Sequence, residues 1–288
     1  MVIIHHQSGK RIKATHFFNA ENKQNNTMKS YNDYVTGQEG LYTGMPEDQY
    51  RAANGVNQSS LKEIRRSPSH YLHSLCKPNE STPAMVMGTL LHARVLEPDR
   101  RLHVVKPEGM SFASKDGKAW KAEQTLHIIS RDDDDQIHSM CSQINAHPIA
   151  TMLLSGSQKE VAGFRWHKPS GLYLKGRLDI VGNLNGETFV ADIKTTEDAS
   201  AGEFVKTCMR YGYARQAAYY CDLAGASKFF WIAVEKSGHH GVQVFELDAV
   251  SLARGRQEYE LDLEKLGICH KTNVWGSYTN EIKTIAIQ

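Results

Sequence analysis

The alternation of apolar and polar positions divides the chain into two unlike parts. Up to about residue 45, Asn, Gln, Lys, Gly and Tyr dominate, and only Phe17–Phe18 makes an apolar point, so no packed element is predicted there. Residues 1–45 are read as a polar, poorly ordered arm and residues 46–288 as the folded domain. Ser59–Ser60 ahead of Leu61 and Ile64, closed by Ser67–Pro68, predicts a short capped helix. Its exposed Lys62, Arg65 and Arg66 are candidates for phosphate contact or for a plain solvated face. Thr82–Pro83 opens a helix from Ala84 to about Leu96 that is apolar nearly all round and therefore predicted to be buried. Ser130 and the aspartates 132–135 lead into a helical pattern over Ile137–Leu154. They are read as the acidic start of that helix, because no calcium-loop spacing follows.

Farther along, β-rich runs cover Val161–His167, Gly171–Val181 and Glu187–Thr195, the last two joined by a Gly/Asn-rich turn over 182–186 that predicts an antiparallel hairpin. A helical region over Ala201–Ala224, interrupted at Gly212, precedes a strand at Lys228–Val234. A turn over 238–241, a strand at Val242–Leu247 and a helix from Asp248 to about Leu266 complete the pattern. Helix, strands, helix and strand together predict a mixed α/β (α+β) chain.

With 288 residues and 40% hydrophobic positions, the chain can bury a core, and its net charge of +2 forces no global attraction to nucleic acid or membrane. No stretch approaches a membrane span and Met1–Lys10 lacks a signal-peptide core, so a cytoplasmic location is expected. The five cysteines are odd in number, scattered and without a C-x-x-C pair. They are read as reduced, buried thiols rather than a disulfide frame, a zinc site or an iron–sulfur cluster.

The chemistry concentrates on Asp192–Ile193–Lys194. Side chains two apart on a strand share a face, so Asp192 and Lys194 project together, and the hairpin brings Asp179 alongside. Converging carboxylates suit a hard divalent cation such as Mg²⁺, and a neighbouring ammonium can aim a water or meet charge developing on phosphate. An Asp–Lys pair on a strand is otherwise only a weak surface ion pair. His92 lies inside the apolar helix one turn after Gly88, where another backbone could approach, and its imidazole is a candidate metal ligand or a core histidine bonded to a carbonyl. Gln216 and Tyr220 are four apart and share a helix face that could hold part of a nucleotide; Glu160 is a further candidate carboxylate.

The ordered set Gly88-x-x-x-His92, Gly176–Arg177–Leu178–Asp179, Asp192–Ile193–Lys194–Thr195 and Gln216-x-x-x-Tyr220 resembles the PD-(D/E)XK nuclease superfamily in its RecB-like branch. Tyr50, Asn57–Leu61, Ser67–Tyr71, Leu96–Glu97–Pro98 and Trp275–Tyr278 look more narrowly like the prophage nuclease domains of the RecE (exodeoxyribonuclease VIII) type. The resemblance spans about residues 46–288 and implies a restriction-endonuclease-like core, a mixed central sheet flanked by helices. It implies that His92, Asp179, Asp192 and the Ile193 carbonyl hold Mg²⁺, with Mn²⁺ able to substitute, that Lys194 positions water, and that Gln216 and Tyr220 complete the site; Glu160 matches a family glutamate less securely. The implied activity is an exodeoxyribonuclease that digests linear double-stranded DNA 5′ to 3′ and leaves 3′ single strands for recombination by annealing. The implied partners are a RecT-type annealing protein and further copies in a ring. An endonuclease or DNA-end repair enzyme of the same fold, and a non-catalytic DNA-binding module, are the rival expectations. Loss of Asp179, Asp192 or Lys194 would mark the module, and all are present.

Overall fold

The structure, a computed structural model, describes residues 28–76, 81–279 and 281–286. Strands β1 (Met28–Ser30) and β2 (Gly40–Thr43) lead into helices α1 (Glu47–Ala52), α2 (Gln58–Leu61), α3 (Pro68–Cys76) and α4 (Pro83–Leu96). Strands β3 (His103–Val105) and β4 (His127–Ile129) flank α5 (Lys115–Glu123), and α6 (Arg131–Ala146) and α7 (Pro148–Leu154) follow. The long strands β5 (Gln158–His167), β6 (Leu172–Leu184) and β7 (Glu187–Thr196) precede α8 (Ala201–Tyr211), α9 (Tyr213–Ala224), β8 (Lys228–Glu235), β9 (Val242–Glu246) and α10 (Ala249–Thr272). β3 and β4 form a small parallel pair, and the other strands form one seven-stranded, mostly antiparallel sheet in the order β1-β2-β5-β6-β7-β8-β9. β7 and β8 run parallel, joined by the α8–α9 crossover. The mixed α/β chain with a helix-flanked central sheet is therefore as the sequence predicts.

The sheet separates two apolar cores. Val161, Leu178, Val190, Phe229 and Trp231 pack with α9 and α10 on one face, and Ile180, Ala191, Ile193, Ile232 and Val234 with α4, α6 and α7 on the other. The β6–β7 hairpin closes tighter than its glycines suggested. Asn185 and Gly186 both have positive φ and alone connect the Leu184–Glu187 pair, the geometry of a two-residue hairpin turn. Ser130 and Asp133 form a reciprocal capping box on α6, as the acidic run predicted.

Several boundaries differ from the sequence reading. Residues 28–45, expected in the polar arm, supply β1 and β2; β2 pairs with β5, and Leu41, Tyr42 and Met45 are buried. The remainder of the expected arm, residues 1–27, lies outside the described residues. Pro68 starts α3 rather than only ending the preceding turn, and Pro148 divides the predicted Ile137–Leu154 helix into α6 and α7, with His147 capping the second. Both fit proline's place in a first helical turn, where its missing N–H costs nothing. Helix α10 runs on to Thr272. All five cysteines are free, but only Cys221 and Cys269 are buried, and Cys76 is exposed. Among the described residues, no helix is long and apolar enough to cross a membrane.

Helix α9, which carries Gln216 and Tyr220, is fixed by a close crossing with α10. A Cβ on Gly255 would lie 2.2 Å from the carbonyl oxygen of Ala214, a backbone atom that cannot swing away. Arg256 donates twice to Asp222 at 2.7 Å, and Tyr259 bonds the same carboxylate. Gly255→Ala gains about 1 kcal/mol of helix propensity but meets an overpacking cost of about 3 kcal/mol. A net loss of about 2 kcal/mol in chemical denaturation is expected; equal or greater stability would show that the crossing is not tight.

Candidate active site

The site begins where two ladders fail. The β6–β7 pairing runs from Leu184–Glu187 to Ile180–Ala191 and stops, so the next positions, Asp179 and Asp192, face each other across a fork. On the other side of β6, the β5 pairing passes from Lys159–Ile180 to Val161–Leu178, with Glu160 and Asp179 opposite each other at the gap. Glu160 has φ 50°, a left-handed backbone unusual for a side chain larger than glycine's. Alternation breaks at the same level. Leu178 packs in the α9–α10 core and Ile180 in the opposite core, although residues two apart on a strand normally share a face. The kink thus brings Glu160, Asp179 and Asp192 to one level of three adjacent strands.

Ile193 is wholly buried, and beyond the fork its N–H and C=O have no backbone partner on β6. Asp179 Oδ2 accepts the Ile193 N–H at 3.1 Å, and His92 Nε2 lies 2.7 Å from the Ile193 carbonyl oxygen. His92 Nδ1 is 3.1 Å from the same Asp179 oxygen. Both ring nitrogens face acceptors, an arrangement satisfied by the imidazolium, which has two donors. Burial alone would push His92 down, but the charge and hydrogen bond of Asp179, with Asp192 beyond, hold it up at about 9. Burial likewise opposes ionisation of Asp179, and the charge of His92 with its hydrogen bond, Lys194 and the Ile193 N–H keeps its carboxyl below the usual range. Helix α4 delivers His92 because Thr82 caps its start, Pro83 opens it, and Leu90, Leu91 and Leu96 anchor it. Gly88, expected to admit a neighbouring backbone, has open space where a Cβ would stand.

Asp192 and Lys194 point together toward α9, as their spacing predicts. Lys194 Nζ lies 2.6 Å from Asp192 Oδ2 and 4.9 Å from the centre of the Tyr213 ring. Burial opposes the ammonium, but Asp192 and Asp179 hold it charged. Asp192 is itself pushed up by burial and by Asp179 against the pull of Lys194, and its Oδ2 is buried without an aligned hydrogen-bond donor. Burial and then Tyr50 push the Tyr220 hydroxyl up, Asp192 and Asp179 add to the rise, and the Gln216 side chain opposes it, so Tyr220 approaches both carboxylates closely enough to feel their charge. Gly176 permits that approach, since a Cβ there would stand 2.6 Å from Leu223 and 3.3 Å from Tyr220.

The structure thus gathers His92, Asp179, the Ile193 carbonyl, Asp192 and Lys194, sets Gln216 and Tyr220 beside them, and draws in Glu160. One ligand atom each from His92, Glu160 and Asp179 lie within 4.8 Å of one another. Burial and Asp179 push the Glu160 carboxyl up, and Arg177, whose Nε bonds Glu160 Oε2, opposes them. Arg65 stands apart from the chemistry: Asp262 at 3.0 Å and Glu258 at 3.2 Å hold it to α10. Arg66 lies 3.6 Å from Glu63, and Lys62 is exposed. Sequence reasoning assigns no role to Arg177 or Tyr213. Arg177 sits in the Gly176–Asp179 motif and shares the face of its strand with Asp179, which is a usable signal; Tyr213 follows the Gly212 break, and nothing local ties it to Lys194.

This donor set fits a hard divalent cation. Carboxylate and carbonyl oxygens predominate, and one ligand atom each from His92, Glu160 and Asp179 converge at the fork.

The sequence profile of a family described as a PDDEXK-like domain of unknown function (DUF3799) matches residues 57–287. No curated protein matches the chain. Among solved structures, a protein of Eubacterium rectale described as a candidate exonuclease aligns at a TM-score of 0.57 and 15% identity, over 85% of this chain and 97% of its own. That likeness shows a shared fold. A phage-related exonuclease of Haemophilus somnus 129PT aligns at a TM-score of 0.34 and 12% identity over 78% of this chain and 98% of its own, too slight a likeness to bear on the chemistry.

Titration with Mg²⁺ or Mn²⁺ is expected to raise the melting temperature of the wild type, by the equivalent of about 2.7 kcal/mol at a hundred times Kd. The rise should be lost in Glu160→Gln/Asp179→Asn, and an equal rise in that variant would place the cation elsewhere.

Proposed function

The chain belongs to the PDDEXK-like family DUF3799, and from that premise we propose that it is a metal-dependent exodeoxyribonuclease acting on linear double-stranded DNA. It removes nucleotides from the 5′ end and leaves 3′ single strands for annealing recombination. The observation that carries this reading is the meeting of Glu160, Asp179 and His92 at one fork of the sheet with the Asp192–Lys194 pair beside them.

In this reading His92, Glu160, Asp179, Asp192 and the Ile193 carbonyl would hold Mg²⁺, with Mn²⁺ as a substitute. The ion, when bound, supplies Lewis acidity at the scissile phosphate. Lys194, kept charged and aimed by Asp192 and Tyr213, orients the attacking water and meets the negative charge that develops on the phosphate oxygens. Water adds to phosphorus, the bond to the leaving sugar oxygen breaks, and that oxygen ends protonated. Tyr220 keeps its proton far above neutral pH, so its hydroxyl remains a donor for a phosphate or sugar oxygen, with Gln216 beside it. Contacts of this type read the backbone and carry no base sequence. In this reading the exposed Lys62 and Arg66 serve as further phosphate contacts. The resemblance to RecE-type domains supports a homo-oligomeric ring and a RecT-type annealing partner as extensions of the same reading.

End-labelled linear duplex and closed circular duplex, each with Mg²⁺ or EDTA, test the proposal. Metal-dependent release of the 5′ label from linear DNA alone is expected. Lys194→Ala should fold normally and lose at least about a hundredfold in rate, the scale of removing one preorganised electrostatic contact. Undiminished activity in that variant would overturn the site assignment, and cutting of the circle would make the enzyme an endonuclease.

A further inference from the structure

Helix α8 presents an aromatic ring that its fold does not use. Phe204, Cys208 and Tyr211 recur at helical spacing on one face. Phe204 is buried against Trp231 and Phe245, and Cys208 packs half-buried near enough to Lys194 to feel its charge. This is the inward face of the helix, yet Tyr211 at its last turn is 58% exposed. The chain then turns at the left-handed Gly212, and the Tyr211 ring lies stacked on Tyr213, centroids 5.7 Å apart and planes 24° apart. Tyr213 in turn stands over the Lys194 ammonium. Lys194, Tyr213 and Tyr211 therefore adjoin in series, an ammonium, a half-buried ring and an exposed ring, with the outer ring open to solvent.

We propose that Tyr211 is the stacking platform for a nucleobase of the substrate strand, extending the Lys194–Tyr213 pair by one planar layer. The inference rests on the nuclease reading and deepens it by assigning a base-binding element to the same site. A π-face takes any base, so the contact adds affinity without sequence preference, as an exonuclease moving through arbitrary sequence requires. The platform also has a defined register: the base that stacks on Tyr211 belongs to a nucleotide near the phosphate that Lys194 faces, so its orientation is coupled to the reacting group. The ring does the work and the hydroxyl does not, which separates stacking from hydrogen bonding.

The test compares wild type, Tyr211→Ala, Tyr211→Phe and Tyr211→Trp on linear duplexes that are intact or abasic at one of the two terminal nucleotides of the digested strand. Duplexes carrying 2-aminopurine at the same positions provide a fluorescence readout of stacking. Tyr211→Ala should raise KM about tenfold, the scale of one lost base–aromatic stack, while Phe and Trp keep it near wild type. Removing the base should raise the wild-type KM by a similar factor and leave that of Tyr211→Ala without further change. Quenching of 2-aminopurine by wild type should disappear in Tyr211→Ala. If wild type digests DNA and Tyr211→Ala matches it in KM and quenching, or if base removal and ring removal multiply independently, the stacking role is overturned while the nuclease stands. If wild type digests no DNA, both readings fall.

Discussion

The site depends on the need to satisfy two buried backbone groups at Ile193. A strand that leaves its neighbour inside a core strands an N–H and a C=O away from water, and an unmade hydrogen bond there costs about 1–3 kcal/mol. Here β7 parts from β6 after Ala191, and the two groups of Ile193 are met by Asp179 and by His92. A structural obligation thereby places a carboxylate, an imidazole and a carbonyl oxygen at one point. The same residues that would hold a cation also close the sheet, and for this reason the fork can persist as a defined geometry before any substrate arrives.

Charge is what that arrangement must manage. Glu160, Asp179 and Asp192 lie at one level of three strands, and like charges directly opposite in a sheet repel. Arg177 takes up Glu160, His92 takes up Asp179, and Lys194 takes up Asp192, one cation for each acid. The pairs are local, and the one on Asp192 brings the Lys194 ammonium to a buried Oδ2 without an aligned hydrogen bond. Such a cluster is poor design for stability alone and is well suited to a hard cation and a phosphate, the usual bargain at a preorganised site.

Much of this was legible because it depends on periods short enough to read. The face shared by Asp192 and Lys194, the face shared by Gln216 and Tyr220, the break at Gly212 and the acidic cap of α6 are all local consequences of a period of two or of about four residues. Register is not local. Nothing in the spacing of residues 160 and 179 says that they lie directly opposite, so Glu160 can be named from the sequence as a further carboxylate but set beside Asp179 only by the pairing. Tyr213 and the Arg65–Asp262 pair escape for the same reason, since tertiary packing alone creates them. Strand β2 was hidden in a polar stretch because its short span holds few apolar residues, and its backbone bonds to β5 supply what its composition does not advertise. Pro68 and Pro148 mislead in a simpler way: a proline stops one helix or starts the next equally well, and only the flanking packing decides.

The central claim is that the β6–β7 fork is a divalent-cation centre, and the most direct measurement is an anomalous difference map from crystals grown with Mn²⁺. The account expects one strong peak bound by His92, Glu160, Asp179, Asp192 and the Ile193 carbonyl. A map with no peak at the fork, or with its strongest peak on other residues, would contradict it.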